Sequence, residues 1–122
     1  MQKLTKLKFN YKIWLELPNN ENLLGDGKYK LLKAIKETGS LKSAMEKLNL
    51  SYRKTWDNLK KIEKKLGFPL INPQRGGSDG GNTALTEEGE KILLIFEEFH
   101  ALHDQLFAET AKKAFDKILL KK

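Results

Sequence analysis

Cysteine is absent from the 122 residues. Disulfides, thiol nucleophiles and thiolate metal sites are thereby excluded, and the composition fits a reducing compartment. Histidine is scarce: His100 and His103 are the only two. A catalytic triad or a three-histidine metal site is not expected from them. Long apolar runs are missing as well. The longest, Ile92 to Phe96, has five residues, against the ~20 needed to span a bilayer. The lysines at the N-terminus precede no apolar stretch, so no signal peptide is expected. No nucleophile–base pair or metal cluster is legible. The composition therefore predicts a cytoplasmic protein that is neither membrane-bound nor an enzyme, with no cofactor.

Hydrophobic residues make up 39% of the chain and charged residues 32%. That balance suits one folded domain with an extended appendage rather than a disordered tail. The net charge is +7, and its distribution is more telling than its size. Residues 28–65 carry eleven lysines and Arg53 against only Glu37, Glu46, Asp57 and Glu63, a local excess of +8. Such a concentrated basic block is the electrostatic signature of a polyanion partner, although a solubilising lysine-rich surface would look the same.

Residues 7–17 alternate, with Leu7, Phe9, Tyr11, Ile13, Leu15 and Leu17 on one face. Period two predicts a strand of eleven residues with one buried side, stopped by Pro18-Asn19-Asn20. Trp14 falls on its polar face. Leu24 to Gly27 reads as a turn. A helix is expected from Lys28 to Thr38, with Gly39 as its C-terminal cap. Ser40 is placed to cap a short helix, Leu41 to Leu48. Its Leu41, Ala44, Met45 and Leu48 share one face. After the break at Asn49-Leu50, Ser51 is placed to cap a third helix, Tyr52 to Leu66. Thr55 or Trp56, Leu59, Ile62 and Leu66 point inward there. Tyr52, Arg53, Lys54, Asn58, Lys60, Lys61, Lys64 and Lys65 point outward. Residues 68–75 and 83–86 read as short strands of a hairpin around a glycine-rich tip.

Thr86 caps a last helix with a continuous apolar stripe and no proline or internal glycine after Gly89. If unbroken it is about 50 Å long, more than the preceding domain can cover. Phe107, Phe115, Ile118 and Leu119 then need a partner, and a second copy of the chain is expected. The alternative is a break near Ala108–Thr110 with a fold-back. Glu87, Glu88 and Glu90 complement the helix dipole and need no catalytic explanation.

Two helices joined by a three-residue turn, the second starting with cations, form a helix-turn-helix. The chemistry suits a duplex. Arg53 can contact guanine in a bidentate way, while Lys54, Lys60 and Lys61 suit phosphates. Ser51 and Tyr52 sit in the same first turn, with Lys42 and Asn58 beside it. The Gly-Gly-Ser-Asp-Gly-Gly loop lacks the lysine of a phosphate-binding loop. After a helix-turn-helix it reads as a wing, with Arg75, Gly76, Gly77 and Ser78 approaching the sugar–phosphate backbone. It reads equally as a surface loop without a role.

Residues 39–59, with Ser51-Tyr52-Arg53-x-x-Trp56 as the most specific element, resemble the winged helix-turn-helix of ModE-type molybdenum-transport regulators. The succession Leu66-Gly67-Phe68-Pro69-Leu70-Ile71 and then Ala84-Leu85-Thr86-Glu87-Glu88-Gly89 continues the resemblance over residues 24–100. Leu-Thr-x-x-Gly is shared with the wider LysR-type domains. The resemblance implies a mainly α fold with a small β component. Residues 1–85 would form the winged helix-turn-helix with its N-terminal strand, and residues 86–122 a long dimerisation helix. It implies double-stranded DNA as partner and a homodimeric regulator of transcription. Full-length regulators of this type carry a molybdate-binding region after the DNA-binding part. This chain shows no counterpart, so no molybdate site is expected. A protein–protein adaptor using the same winged-helix surface is the alternative.

Overall fold

The computed structural model describes residues 3–73 and 82–120. They form two compact units. The larger spans residues 13–94; the smaller joins the chain up to residue 12 with the chain from residue 95. No helix among the described residues is long and apolar enough to cross a membrane.

The larger unit opens with an antiparallel ribbon, β1 (Trp14–Glu16) against β2 (Asn22–Gly25). The expected eleven-residue strand shrinks to three residues because its pairing partner has only four. Strand geometry needs a neighbour's N–H and C=O groups, which alternation alone cannot supply. The alternation survives in burial: Tyr11, Ile13, Leu15 and Leu17 are half-buried while Lys12, Trp14 and Glu16 are exposed. Leu24 and Gly25, expected in a turn, belong to β2 instead. Gly25 lies opposite Trp14, and a Cβ there would sit 3.2 Å from the Ile13 carbonyl oxygen. That is a tight contact, which a side chain could enter only if the ribbon gave by a few tenths of an ångström.

Helix α1 (Asp26–Thr38) follows at once and ends on Gly39 at φ +72°, the left-handed conformation that glycine adopts without a Cβ clash. Helix α2 (Leu41–Lys47) starts from Ser40, whose hydroxyl accepts the Ser43 N–H at 3.0 Å. Helix α3 (Tyr52–Leu66) ends on Gly67 at φ +83°. Strands β3 (Ile71–Pro73) and β4 (Thr83–Leu85) pair antiparallel. They are shorter than the runs the sequence predicts. The core is formed by Leu31, Leu32 and Ile35 of α1, Leu41, Ala44 and Met45 of α2, Leu59 and Ile62 of α3, with Leu70, Ile71 and Leu93. Burying such side chains contributes about 1.5–3 kcal/mol each before conformational entropy is counted.

Helix α4 (Glu87–Leu119) begins on this unit and passes unbroken through Ala108–Thr110, so the fold-back alternative is not adopted. Its start is tightly built. Thr86 donates its hydroxyl to the Pro69 carbonyl at 2.8 Å and accepts the Gly89 N–H at 3.0 Å.

In the smaller unit the N-terminal segment covers part of α4. Phe9 meets the Phe115 ring edge-on at 5.3 Å, and Tyr11 packs on Phe107 at 4.2 Å. The Tyr11 hydroxyl donates to Asp104, which also pairs with His100 Nδ1 at 2.9 Å. Two of the aromatics expected to await a second copy, Phe107 and Phe115, are therefore half-covered by the chain itself. The odd-numbered apolar face of residues 7–11 is used against a helix rather than in a sheet.

Candidate nucleic-acid interface

The helix-turn-helix is α2, a four-residue bend from Leu48 to Ser51, one residue longer than the sequence predicts because α2 ends at Lys47, and α3. The Leu50 N–H donates to the Met45 carbonyl at 2.8 Å and the Asn49 N–H to the Glu46 carbonyl at 3.1 Å. Asn49 sits at φ +55°, a left-handed conformation that asparagine tolerates better than most residues. These bonds close the bend and set the direction in which α3 leaves it.

The rear of α3 is anchored by Thr55, Leu59, Ile62 and Glu63, all buried. Of the alternatives Thr55 and Trp56, Thr55 is the inward residue. Trp56 is half-exposed, parallel to Tyr52 with ring centroids 6.5 Å apart. Trp56, the other alternative for the inward position, packs at the edge of the core rather than within it. Glu63 is the residue that periodicity did not single out. Its Oε2 accepts the N–H groups of Leu70 at 2.6 Å and Ile71 at 3.2 Å. One buried carboxylate thus ties the base of the hairpin to α3, and charge-assisted bonds of this kind are the stronger ones.

The outward face agrees with the sequence pattern. Lys42, Ser51, Tyr52, Arg53, Lys54 and Lys61 are exposed, and Asn58 and Lys60 are half-buried. Ser51 occupies the N-cap position with extended backbone, but its side chain makes no capping hydrogen bond. The expected serine cap is therefore present in position and absent in bonding. Lys60 is engaged locally: its Nζ lies 3.0 Å from Glu63 and 4.4 Å from the Trp56 ring centroid. Among the described residues, Arg53, Lys54 and Lys61 make no ion pair. Arg75, Gly76, Gly77 and Ser78 lie outside the described residues.

Two features of this surface were not singled out beforehand. Leu50 is exposed in the bend and, with Lys42, Met45, Glu46 and Tyr52, lines a shallow depression of about 560 Å³. Asp57 is exposed amid the cations of α3. The sequence signal for Asp57 was its outward helical phase; Leu50, in the bend, has no helical phase to read.

The electrostatics of the two long helix starts differ. The first turn of α4 holds Glu87, Glu88 and Glu90, which offset the positive end of the helix dipole. The first turn of α3 holds no acidic residue. It carries Arg53 and Lys54 instead, which add to the dipole rather than oppose it. Cations there cost the helix a few tenths of a kcal/mol each, so folding does not explain them. An anion in front of the helix would. No cluster of three or more metal-ligating side chains occurs among the described residues.

The family model for bacterial regulatory helix-turn-helix proteins of the lysR family matches residues 27–90. The chain is 33% identical over 105 residues to the transcriptional regulator ModE of Haemophilus influenzae, covering 79% of this chain and 41% of that protein. It is 34% identical over 73 residues to the molybdenum-pterin-binding protein MopB of Rhodobacter capsulatus, covering 60% of this chain and 27% of MopB. It thus spans roughly two fifths or less of the length of these curated relatives. Among solved structures, the CbnR_DBD-DNA complex aligns with a TM-score of 0.56 at 22% identity, over 72% of this chain and 95% of that chain. That likeness establishes the winged helix-turn-helix fold. With more than half of its residues matched by the family model, the chain belongs to the bacterial regulatory helix-turn-helix proteins of the lysR family.

Proposed function

We propose that the chain binds double-stranded DNA and regulates transcription, with α3 laid in the major groove. The observation that carries this reading is the start of α3: Arg53 and Lys54 are exposed, unpaired among the described residues, and placed on a helix end that already favours anions. In this reading Arg53 contacts a guanine edge. Lys42, Lys54 and Lys61 meet phosphates, and Ser51 and Asn58 add polar contacts. Tyr52 and exposed Leu50 supply apolar contact, for which a thymine methyl is the matching base feature. Lys60 contributes less, because Glu63 offsets its charge. Arg75, Gly76, Gly77 and Ser78 would act as the wing tip. The ModE name carried by relatives and the DNA in the CbnR complex support this reading. DNA binding also agrees with the cytoplasmic location that composition predicts.

We assign homodimerisation to the exposed seam Ile95, Phe99, Leu102 and Leu106 on α4. These residues follow a four-three-four spacing, the coiled-coil pattern. A two-fold dimer would present two α3 helices to half-sites about one helical turn apart. Leu102→Glu with Leu106→Glu should halve the sedimenting mass, and an unchanged mass refutes that seam.

The function is tested by titrating labelled random duplex at several salt concentrations. Binding whose logarithmic affinity falls linearly with log salt, by about 0.9 per phosphate contacted, supports it. No binding at micromolar protein in low salt overturns it and leaves the adaptor reading.

A further inference from the structure

A second groove lies on the larger unit, between the β1–β2 ribbon and the flank of α3. It measures about 460 Å³ and is lined by Trp14, Lys28, Asn58, Lys61 and Lys65 over a floor that includes Ile62. None of its described lining residues is acidic. Carboxylates stand near it: Glu21 lies 3.8 Å from Lys65, and Glu16 accepts the Trp14 indole N–H at 2.8 Å. Lys28 and Lys61 make no ion pair among the described residues.

Three observations point the same way. Asn58, Lys61, Ile62 and Lys65 recur at steps of three and four, so they share one flank of α3. Lys61 therefore belongs both to this groove and to the cationic front. Lys28 lies in the first turn of α1 together with Asp26, where a cation adds to the positive end of the helix dipole rather than offsetting it, so the dipole does not explain its charge. Trp14 keeps 53% of its surface exposed beside these lysines, and a large aromatic is costly to leave in water.

We infer that this groove seats the sugar–phosphate backbone of the duplex flanking the base pairs read by α3. Lys28 and Lys65 approach phosphates, Asn58 and Asn22, which also lines the groove, donate hydrogen bonds, and Trp14 packs on the deoxyribose. The inference rests on the DNA-binding reading above and extends its footprint to the N-terminal ribbon. The occupant is a polyanion with apolar sugar faces, because the groove offers cations and an aromatic together.

The test compares wild type, Lys28→Gln and Trp14→Ala on a short duplex that covers only the helix-turn-helix site and on one extended by a few base pairs. Circular dichroism confirms folding, and Lys28→Gln should not weaken the fold, since it removes a cation from a helix N-terminus. Wild type should bind the extended duplex severalfold more tightly. Both variants should lose that gain, and Lys28→Gln should reduce the salt slope by about 0.9. Variants that match wild type on both duplexes, while Arg53→Ala weakens binding, overturn this inference and leave the DNA-binding reading standing. A loss equal on short and extended duplexes also overturns it, because that reports only the general field of the protein. Failure of wild type to bind any duplex refutes both readings together.

Discussion

Gly89→Ala separates two opposed physical expectations. Intrinsic helix propensity favours the change by about 1 kcal/mol, since glycine is the poorer helix former. Packing opposes it. A Cβ at Gly89 would lie 2.3 Å from the Leu70 carbonyl oxygen and 3.2 Å from its carbon, about 1 Å inside a normal approach. The Leu70 peptide cannot easily yield. Its carbonyl accepts the Thr86 N–H at 2.9 Å, and its N–H donates to Glu63 at 2.6 Å. Moving α4 away instead breaks the Thr86–Gly89 cap, worth about 1 kcal/mol, and loosens β3 and β4. Overpacking of this kind costs about 1–3 kcal/mol. With the cap loss added and propensity subtracted, the net destabilisation should be about 1–3 kcal/mol. Gly27→Ala is the control, because nothing lies within 4 Å of a Cβ at Gly27 in α1. It should stabilise by about 0.5–1 kcal/mol. Urea unfolding followed by circular dichroism reads both. Stabilisation by Gly89→Ala similar to that by Gly27→Ala would refute the packing argument for glycine at the end of Leu85-Thr86-Glu87-Glu88-Gly89.

Glu63→Ala removes the shared acceptor of two backbone N–H groups and should cost about 2–4 kcal/mol, whereas Glu63→Gln keeps one acceptor oxygen and should cost less; equal Tm values for the two contradict this. The Tyr11 hydroxyl, and after it His100, hold the Asp104 carboxyl below its ordinary value of 3.8. A lowered folded pKa stabilises the fold above the unfolded value and loses that contribution as pH falls through the folded value. Tyr11→Phe should therefore move Asp104 back towards 3.8 in a carboxyl-carbon NMR titration, and no movement contradicts the assignment. Asp57→Asn removes a negative charge from the cationic face and should raise affinity for any duplex by about twofold at low salt. A selective loss on the preferred site would instead mean that Asp57 reads a base.

The helices were legible because their signals are local. Ser40, Gly39, Gly67 and Thr86 all stand where caps belong, and the inward residues of α2 and α3 follow the helical period. The strands were not, because pairing is a property of two segments. Residues 7–17 alternate faithfully, yet only Trp14–Glu16 find a partner, and β2 is too short to show a period. Glu63 was hidden for a related reason: its phase on α3 is inward, but its acceptors' partners lie at residues 70 and 71, beyond the helix. The cationic front was readable as outward phase, whereas the withdrawal of Lys60 onto Trp56 and Glu63 depends on rotamers that no spacing encodes.

The central claim is that the cationic start of α3 reads duplex DNA. Its most direct measurement is the affinity of wild type and Arg53→Ala for a selected binding site and for random duplex at one salt concentration. A bidentate guanine contact predicts a loss of about 10- to 100-fold on the selected site, with a far smaller loss on random DNA. An equal loss on both, or none on either, would contradict it.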